Sequence, residues 1–354
     1  MLPPLVFHTD GSFRQPGLRP SHAPLDDLPL KPAERRYFDR MERWVVETHE
    51  KLRWRSVRID KANVLETFQV ALPRSINEKF TWRKLFDHDP RLPVLIDKIA
   101  VKDWLVTERM PLRAPELLWQ GTDPDAIPAS VLTRRAVMKP AQGWRSQLFL
   151  RPGEAEPAEI RAAAAEMLTH RHGWRLFEWG YSRIPPRLLI EEEIVAAPGT
   201  RLEEVKVYVF GDRIERIVRL FDRFGTISGQ VWDADADGWV QRSNRPLDVA
   251  EIIDRAPPPP NWEEMIRAAQ QIAAPFDHMR VDLLTDGSRA VLNEMTVYNQ
   301  GGRMARIGAD GAHPATLAWD LRRSWFLRTP QVDPMLEEYR LTLGALLDWA
   351  ETQV

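Results

Sequence analysis

The chain reads as an α+β protein, and three features of its sequence say so. Runs with two-residue alternation come in adjacent pairs, 205–210 with 213–220 and the two halves of 280–296, each joined around a Gly-Asp or Asp-Gly turn signal. Helical periodicity gathers elsewhere, at 31–54, 73–110 and 333–352. Neither Gly-x-Gly-x-x-Gly nor Gly-x-x-x-x-Gly-Lys-Ser/Thr occurs, so a doubly wound sheet or a P-loop lacks its signature. Antiparallel hairpins with segregated helices predict α+β subdomains, and 354 residues suit two or three of them.

The elements follow in order. Residues 1–30 carry Pro, Gly, His and Asp without periodicity and read as an irregular leader. In 31–54, Tyr37, Phe38, Met41, Trp44, Val45 and His49 fall on one helical stripe. The stretch 73–110 is helical in pieces, and Ser75 followed by Glu78 is a capping-box signal. From about 112 short strands take over. Residues 135–139 and 146–150 flank a polar turn, 159–171 is an alanine-rich helix, and 188–195 is a strand before the Pro198-Gly199 turn. The prolines at 257–260 form a stiff spacer, Asn261 can cap a helix over 262–273, and the last hairpin follows. No internal repeat is visible.

Composition narrows the function. A net charge of −2 with balanced signs gives no argument for nucleic acid as a partner. The absence of cysteine removes disulfides, thiolate metal sites and a thiol nucleophile together. No apolar run reaches the length of a transmembrane helix, and the N-terminus lacks a secretory pattern, so a cytoplasmic location is the default expectation.

The hairpin at 280–296 carries the chemistry. Arg280, Asp282 and Glu294 stand where a plain hairpin would hold apolar or neutral residues. Two hard oxygen donors beside an arginine suit Mg²⁺ and a polyphosphate, whereas solvated charges on an ordinary edge hairpin are the plain alternative. A strict two-residue turn at Asp286-Gly287 would pair even with odd positions and split the carboxylates onto opposite faces. Sharing a metal therefore requires an odd-length loop or a bulged residue, a bulge at Gly287 being one option.

Other residues gain interest beside such a site. Lys139 ends a strand before the polar loop 140–146, which holds Gln142, Trp144, Arg145 and Ser146. A lysine there can reach a phosphate, or it can be merely solvated. Glu191, Glu192 and Glu193 crowd one strand end, where an edge backbone can meet an adenine or a charged edge can block aggregation. Lys206 sits in an otherwise apolar strand and calls for an anionic partner. Lys98 and Lys102, one helical turn apart, can face a phosphate together or form a solvated face.

These stretches, in this order, resemble the ATP-grasp superfamily and its TupA-like branch. The resemblance rests on Ser75 to Leu85, Asp97 to Lys102, Val137-Met-Lys139-Pro140, Leu189-Ile-Glu-Glu-Glu-Ile194, Glu204-Val-Lys206, Met279-Arg-Val-Asp282 and Asn293-Glu294-Met-Thr296, and covers about 72–325. It implies an ATP-grasp fold, two α+β subdomains clasping ATP, with an atypical, largely helical N-terminal region. It divides the chain into 1–71 (leader and helical region), 72–133 (linker part), 134–195 (first subdomain), 196–325 (second subdomain) and 326–354 (C-terminal helix).

The resemblance implies ATP and Mg²⁺ as cofactors. Asp282 and Glu294 would bind the metal, with Thr296 where many members carry asparagine. Arg280, Lys139, Lys206 and Lys98 or Lys102 would hold the triphosphate with the loop residues Gln142 and Ser146, and Glu191 to Glu193 would line the adenine and ribose. The implied activity is ligation of a small-molecule or glycan carboxylate to an amine through an acyl phosphate, associated with bacterial surface polysaccharide. Arg303, after the Gly301-Gly302 pair, is the candidate carboxylate anchor, and Asp222-Arg223 is a second candidate surface. A small-molecule or sugar kinase and a non-catalytic nucleotide-binding partner are the competing readings. Two departures from the family pattern are Trp144 and Arg145 in the loop and the missing β/α alternation of the usual first domain.

Overall fold

The computed structural model describes residues 2–16, 19–57, 69–143, 146–170, 172–173, 176–196, 201–221, 227–235, 238–241, 251–252, 256–302, 304 and 310–354. The leader is not wholly irregular. Strands β1 (Val6–Phe7) and β2 (Phe13–Arg14) form a small antiparallel hairpin, too short to leave a periodic signal. Helix α1 (Pro32–Val57) follows and buries Phe38, Met41 and Val45, three of the residues on its apolar stripe.

Helix α2 (Ile76–Leu85) starts at the capping box. Glu78 N–H donates to Ser75 Oγ, and Ser75 N–H donates back to the Glu78 carboxylate. Every residue from Ile76 to Lys84 is buried, although Asn77, Lys79, Arg83 and Lys84 are polar. Tertiary partners make that possible. Lys79 Nζ donates to the carbonyls of Thr316 and Trp319 at 2.7 and 2.6 Å. Arg83 donates to the carbonyls of His278 and Val297 and pairs with Asp277. The guanidinium thus clamps both outer ends of the last hairpin. Helices α3 (Leu92–Ile96) and α4 (Ala100–Thr107) then lead to the sheets.

Strands β3 (Leu117–Gly121), β4 (Ala136–Pro140), β5 (Leu148–Leu150) and β6 (Leu188–Glu192) make a four-stranded antiparallel sheet in the order β3-β6-β4-β5. Helices α5 (Ala129–Leu132) and α6 (Pro157–Thr169) close its core, where Val131, Leu132, Ile160 and Ala164 meet Met138, Leu188 and Ile190. Helix α7 (Trp179–Ser182) precedes β6.

The second sheet contains β7 (Glu203–Phe210), β8 (Arg213–Phe221), β9 (Ser228–Asp235), β10 (Gly238–Gln241), β11 (Glu251–Ile252), β12 (His278–Thr285) and β13 (Ala290–Thr296). Its order among the described residues is β10-β9-β8-β7-β12-β13, with β11 pairing β9 in parallel. Helix α8 (Trp262–Ala273) covers one face, setting Met265, Ile266, Ala269 and Ile272 against Val205, Val207, Val209, Val281 and Leu283. Burying each such side chain stabilises by about 1.5–3 kcal/mol relative to exposure. Asn261 stands at the N-cap of α8 but makes no side-chain cap; its amide bonds Thr285 Oγ1 instead, tying the helix to the hairpin. The leader hairpin docks on the same helix, where Trp262 Nε1 donates to Gly11 O.

Helices α9 (Pro314–Ala318), α10 (Trp325–Arg328) and α11 (Pro334–Glu351) pack with α1 and α2 in a separate core, which also takes Tyr208 and Phe210 from β7.

Candidate active site

Alternation along β7 and β12 decides which side chains face away from α8. Odd-numbered Val205, Val207, Val281 and Leu283 enter the core, so Glu204, Lys206, Tyr208, Arg280, Asp282 and Leu284 share the other face. Asp282 lies opposite Lys206 on β7 and opposite Glu294 on β13. The two carboxylates face each other because the register shifts by one residue: Leu283 pairs with Leu292, and Asn293 is the extra residue. A bulge is present, but at Asn293 and not at Gly287. Gly287, at φ +90°, lies in the four-residue loop whose Asp286 carboxylate accepts from the N–H groups of Ser288 and Arg289.

Asp282 is 1% exposed and fully engaged. Arg280 donates to both of its oxygens, at 2.6 and 2.7 Å, and Lys206 Nζ donates to Oδ2 at 2.9 Å. Burial alone would raise this carboxyl, but Arg280 and Lys206 outweigh it and hold the group down at about 2. Arg280 also donates to Thr296 Oγ1 at 3.0 Å, and Lys206 to Glu204 Oε1 at 2.7 Å. Glu294 lies 3.9 Å from Lys98 Nζ, which donates to Gly143 O at 2.5 Å.

The four-stranded sheet supplies a second cluster. Lys139 Nζ donates to Glu191 Oε1 at 2.7 Å and to Asn293 Oδ1 at 3.1 Å, so the bulged residue reaches from one sheet to the other. Lys102 Nζ takes the other oxygen of Glu191 at 2.7 Å. Burial opposes ionisation of Glu191, yet Lys139 and Lys102 hold its carboxyl below the usual range; burial lowers Lys102 despite its partner. Between the sheets lies a cavity of about 280 Å³. Val137, Phe149, Leu202 and Leu284 give it apolar walls, residues 193–196 run along it, and Lys139, Glu191, Glu192 and Asn293 are among its polar lining.

The glutamate triplet occupies no sheet edge, which corrects the edge placement of that strand, while Glu191, Glu192 and Glu193 all line the cavity between the sheets. β6 runs between β3 and β4, and the carboxylates of Glu191, Glu192 and, just past the strand, Glu193 separate onto different cations. Glu191 takes the two lysines, Glu192 accepts from Arg113 at 2.5 Å, and Glu193 accepts from Arg135 and Arg151. The backbone leaves the sheet only after Glu192. Lys98 and Lys102 do not share a solvated helix face either: Lys98 lies in the turn before α4, and both ammoniums are largely buried. Gln142 is buried with its amide toward His170 O, turned into the protein, and Ser146 is half-buried ahead of β5. Trp144, Arg145, Asp222, Arg223 and Arg303 lie outside the described residues.

Sequence reasoning missed Asn293 and Glu204. The only trace of Glu204 was its two-residue spacing from Lys206. Asn293 stood only as the first residue of the Asn293-Glu294-Met-Thr296 stretch, and its role was hidden because its direction depends on the bulge.

The donor chemistry fits Mg²⁺. Asp282, Glu294 and Thr296 offer hard oxygens on one face, and Mg²⁺ takes one or two carboxylates with phosphate oxygens and water completing six positions. Among the described residues no group of three or more His, Asp or Glu makes a metal cage by itself.

Two largely antiparallel sheets with helices on their outer faces and a charged cleft between them make an ATP-grasp fold. The family model described as TupA-like ATPgrasp matches residues 78–309, well over half of the chain, and the chain belongs to that family. Among solved structures, a D-alanine–D-alanine ligase from Bacillus anthracis complexed with ATP is 16% identical, with 72% of this chain and 68% of that chain covered, at a TM-score of 0.36. The ATP-grasp ligase PsnB complexed with minimal precursor is 17% identical, with 76% and 64% covered, at a TM-score of 0.32. A RimK domain ATP-grasp protein from Sphaerobacter thermophilus is 15% identical, with 65% and 67% covered, at 0.36. The chain thus spans about two thirds of the length of these solved chains. No curated protein matches it.

Proposed function

We propose that the protein is an ATP-dependent carboxylate–amine ligase working through an acyl phosphate. The observation that carries this reading is the direct opposition of Asp282 and Glu294 on a face shared with Lys206 and Arg280, with Lys139 joined to it through Asn293. Family membership supports the ligase class. Residues 134–195 and 196–325 are assigned as the two clasping subdomains.

Adenine would enter between Val137, Phe149, Leu202 and Leu284, with residues 193–196 offering backbone groups at its edge. The phosphates would run toward Lys139, Lys98, Lys102, Lys206 and Arg280. Mg²⁺ would be held by Asp282 and Glu294 beside Thr296, and when bound it supplies positive charge to the phosphoryl oxygens. The cations now rest on carboxylates, Arg280 and Lys206 on Asp282, Lys102 and Lys139 on Glu191. Nucleotide binding exchanges those partners for phosphate, so the charges arrive already placed and largely desolvated.

A substrate carboxylate oxygen then attacks the γ-phosphorus and ADP leaves. The amine nitrogen attacks the acyl carbon and inorganic phosphate leaves. The acceptor class assigned is a small-molecule or glycan carboxylate, Arg303 is proposed as its anchor from sequence, and the setting is cytoplasmic surface-polysaccharide assembly. No described helix is long and apolar enough to cross a membrane.

The test is ADP release from Mg·ATP across matched panels of uronates, amino acids and amines. Release that requires a carboxylate and an amine together is expected. Release driven by a hydroxyl compound alone would make the protein a kinase.

A further inference from the structure

The nucleotide assigned to the cleft has a direction along β12. Leu284 lines the apolar cavity, Asp282 stands two residues away and Arg280 two further, all on one face. At the usual rise of a strand, Leu284 and Arg280 are about 13 Å apart. Arg280 thus marks the phosphate end of the site, where an acceptor must arrive. The pairing of β13, β12, β7, β8 and β9 sets Thr296, Arg280, Tyr208, Arg216 and Asp233 side by side in one row across the sheet. Directly opposed residues share a face, so Arg216 and Asp233 lie on the face that carries Asp282 and Glu294.

Arg216 reaches that face through a bulge. Val209 pairs with Ile214 and Tyr208 with Arg216, so Glu215 is the extra residue; regular pairing would turn Arg216 toward α8. Both this bulge and the one at Asn293 therefore bring a charged group to the same face. Arg216 is also held as Arg280 is. Its Nε and Nη2 donate to the two oxygens of Asp233 at 2.6 and 2.9 Å, the side-on mode in which Arg280 meets Asp282. Nη1 of each guanidinium makes no hydrogen bond to a described residue. The Arg216 side chain is 12% exposed, close to the 13% of Arg280. Arg219, on the same strand but facing α8, is 2% exposed and has all three nitrogens bonded. Arg219 serves the frame, whereas Arg216 is built like a cation of the site. Buried Tyr208 separates the two guanidiniums, with its ring centre 5.8 Å from Arg280 Cζ.

We propose that Arg216, oriented by Asp233, holds a second anionic group of the acceptor. The preferred acceptor then carries its reacting carboxylate and, a sugar ring's width away, another carboxylate or a phosphate. This rests on the ligase reading. Arg280 and Arg216 stand two strand spacings apart, about 10 Å at the backbone. The reacting carboxylate meets the γ-phosphoryl group at Arg280, and the rest of that span is left for the body of the acceptor. Nη1 of Arg216 donates to the second anion in a charge-assisted hydrogen bond, while Asp233 keeps the guanidinium plane fixed. Arg216 touches no reacting atom; it selects and seats the molecule that reacts.

Matched acceptors that differ by one anionic group provide the test: D-glucuronate against D-glucuronate 1-phosphate, and hexanoate against adipate. Each is given with Mg·ATP to wild type, Arg216→Gln, Arg216→Lys and Asp233→Asn, folding being checked by thermal melting. Hydroxylamine serves as the amine and captures the acyl phosphate as a hydroxamate. Wild type should use the member with the second anion at a KM at least about tenfold lower. In Arg216→Gln that ratio should fall to within about twofold of unity with KM for ATP unchanged, Arg216→Lys and Asp233→Asn lying between. Equal KM values for both members in wild type would overturn the proposal without any variant, as would a ratio that survives in folded Arg216→Gln. An equal loss with both members, following a loss of ATP affinity, would place Arg216 in nucleotide binding and also overturn it. Wild type that forms no hydroxamate from either pair would contradict the ligase reading itself, and this inference would fall with it.

Discussion

Glu215 is the residue whose chemistry is set most plainly by its surroundings. It is the extra residue where β8 shifts register against β7, between Ile214 and Arg216. Its side chain is 3% exposed, and Oε2 meets no hydrogen-bond partner among the described residues. Burial lifts its carboxyl to about 8, Arg213 opposing and Asp233 adding to the shift. The folded value lies above the unfolded one, so the folded state keeps a proton that the unfolded chain releases. Its contribution is complete below about 4.5 and is lost as the pH rises to about 8. Glu215→Gln cannot ionise, so its melting temperature should match wild type near pH 4 and exceed it by a few degrees at pH 8. Parallel melting curves across that window would contradict the burial argument. Asp282 is the opposite case: two cations hold it ionised despite deeper burial. That contrast explains what the sequence disclosed. Arg280, Asp282, Glu294 and Lys206 interrupt apolar alternation and so announce themselves. Glu215 breaks the same pattern, but nothing local says that it lacks a partner.

Among the elements, the last hairpin shows where sequence reading stops. Parity alone required an irregularity if the carboxylates were to share a face, and one exists. Its position was not legible, because the Asp286-Gly287 signal draws attention to the turn while cross-strand geometry puts the extra residue at Asn293. Gly287→Ala should therefore strain only the loop, where φ is +90°, at a cost of about 1–2 kcal/mol. It should leave Mg·nucleotide affinity unchanged. A large affinity loss in a folded Gly287→Ala protein would mean that the turn, not the bulge, sets the register of the pair. Other elements were hidden for related reasons. α2 carries too many polar residues to look buried, and only the distant carbonyls of His278, Val297, Thr316 and Trp319 make its burial tolerable. Strands β9 and β10 are masked by Asp and Gly at 233–238, residues that local propensity assigns to turns. By contrast α8, α11 and the β7–β8 hairpin follow their apolar periodicity almost to the residue.

In the whole molecule, two sheets with separate cores meet across a cleft whose charges are paired before any nucleotide arrives. α2 holds the frame, clamping the hairpin through Arg83 and the C-terminal segment through Lys79. The cleft itself depends on contacts between distant segments, such as Lys139 with Asn293, and no window of sequence contains both partners. The central claim is that this cleft binds Mg·ATP through Asp282. The most direct measurement is calorimetric titration of Mg²⁺ with a non-hydrolysable ATP analogue into wild type and Asp282→Asn, each checked for folding by circular dichroism. Micromolar binding that requires Mg²⁺ is expected, weakened at least about 100-fold in the variant, equivalent to nearly 3 kcal/mol. Absence of binding by folded wild type, or equal binding by folded Asp282→Asn, would contradict the account.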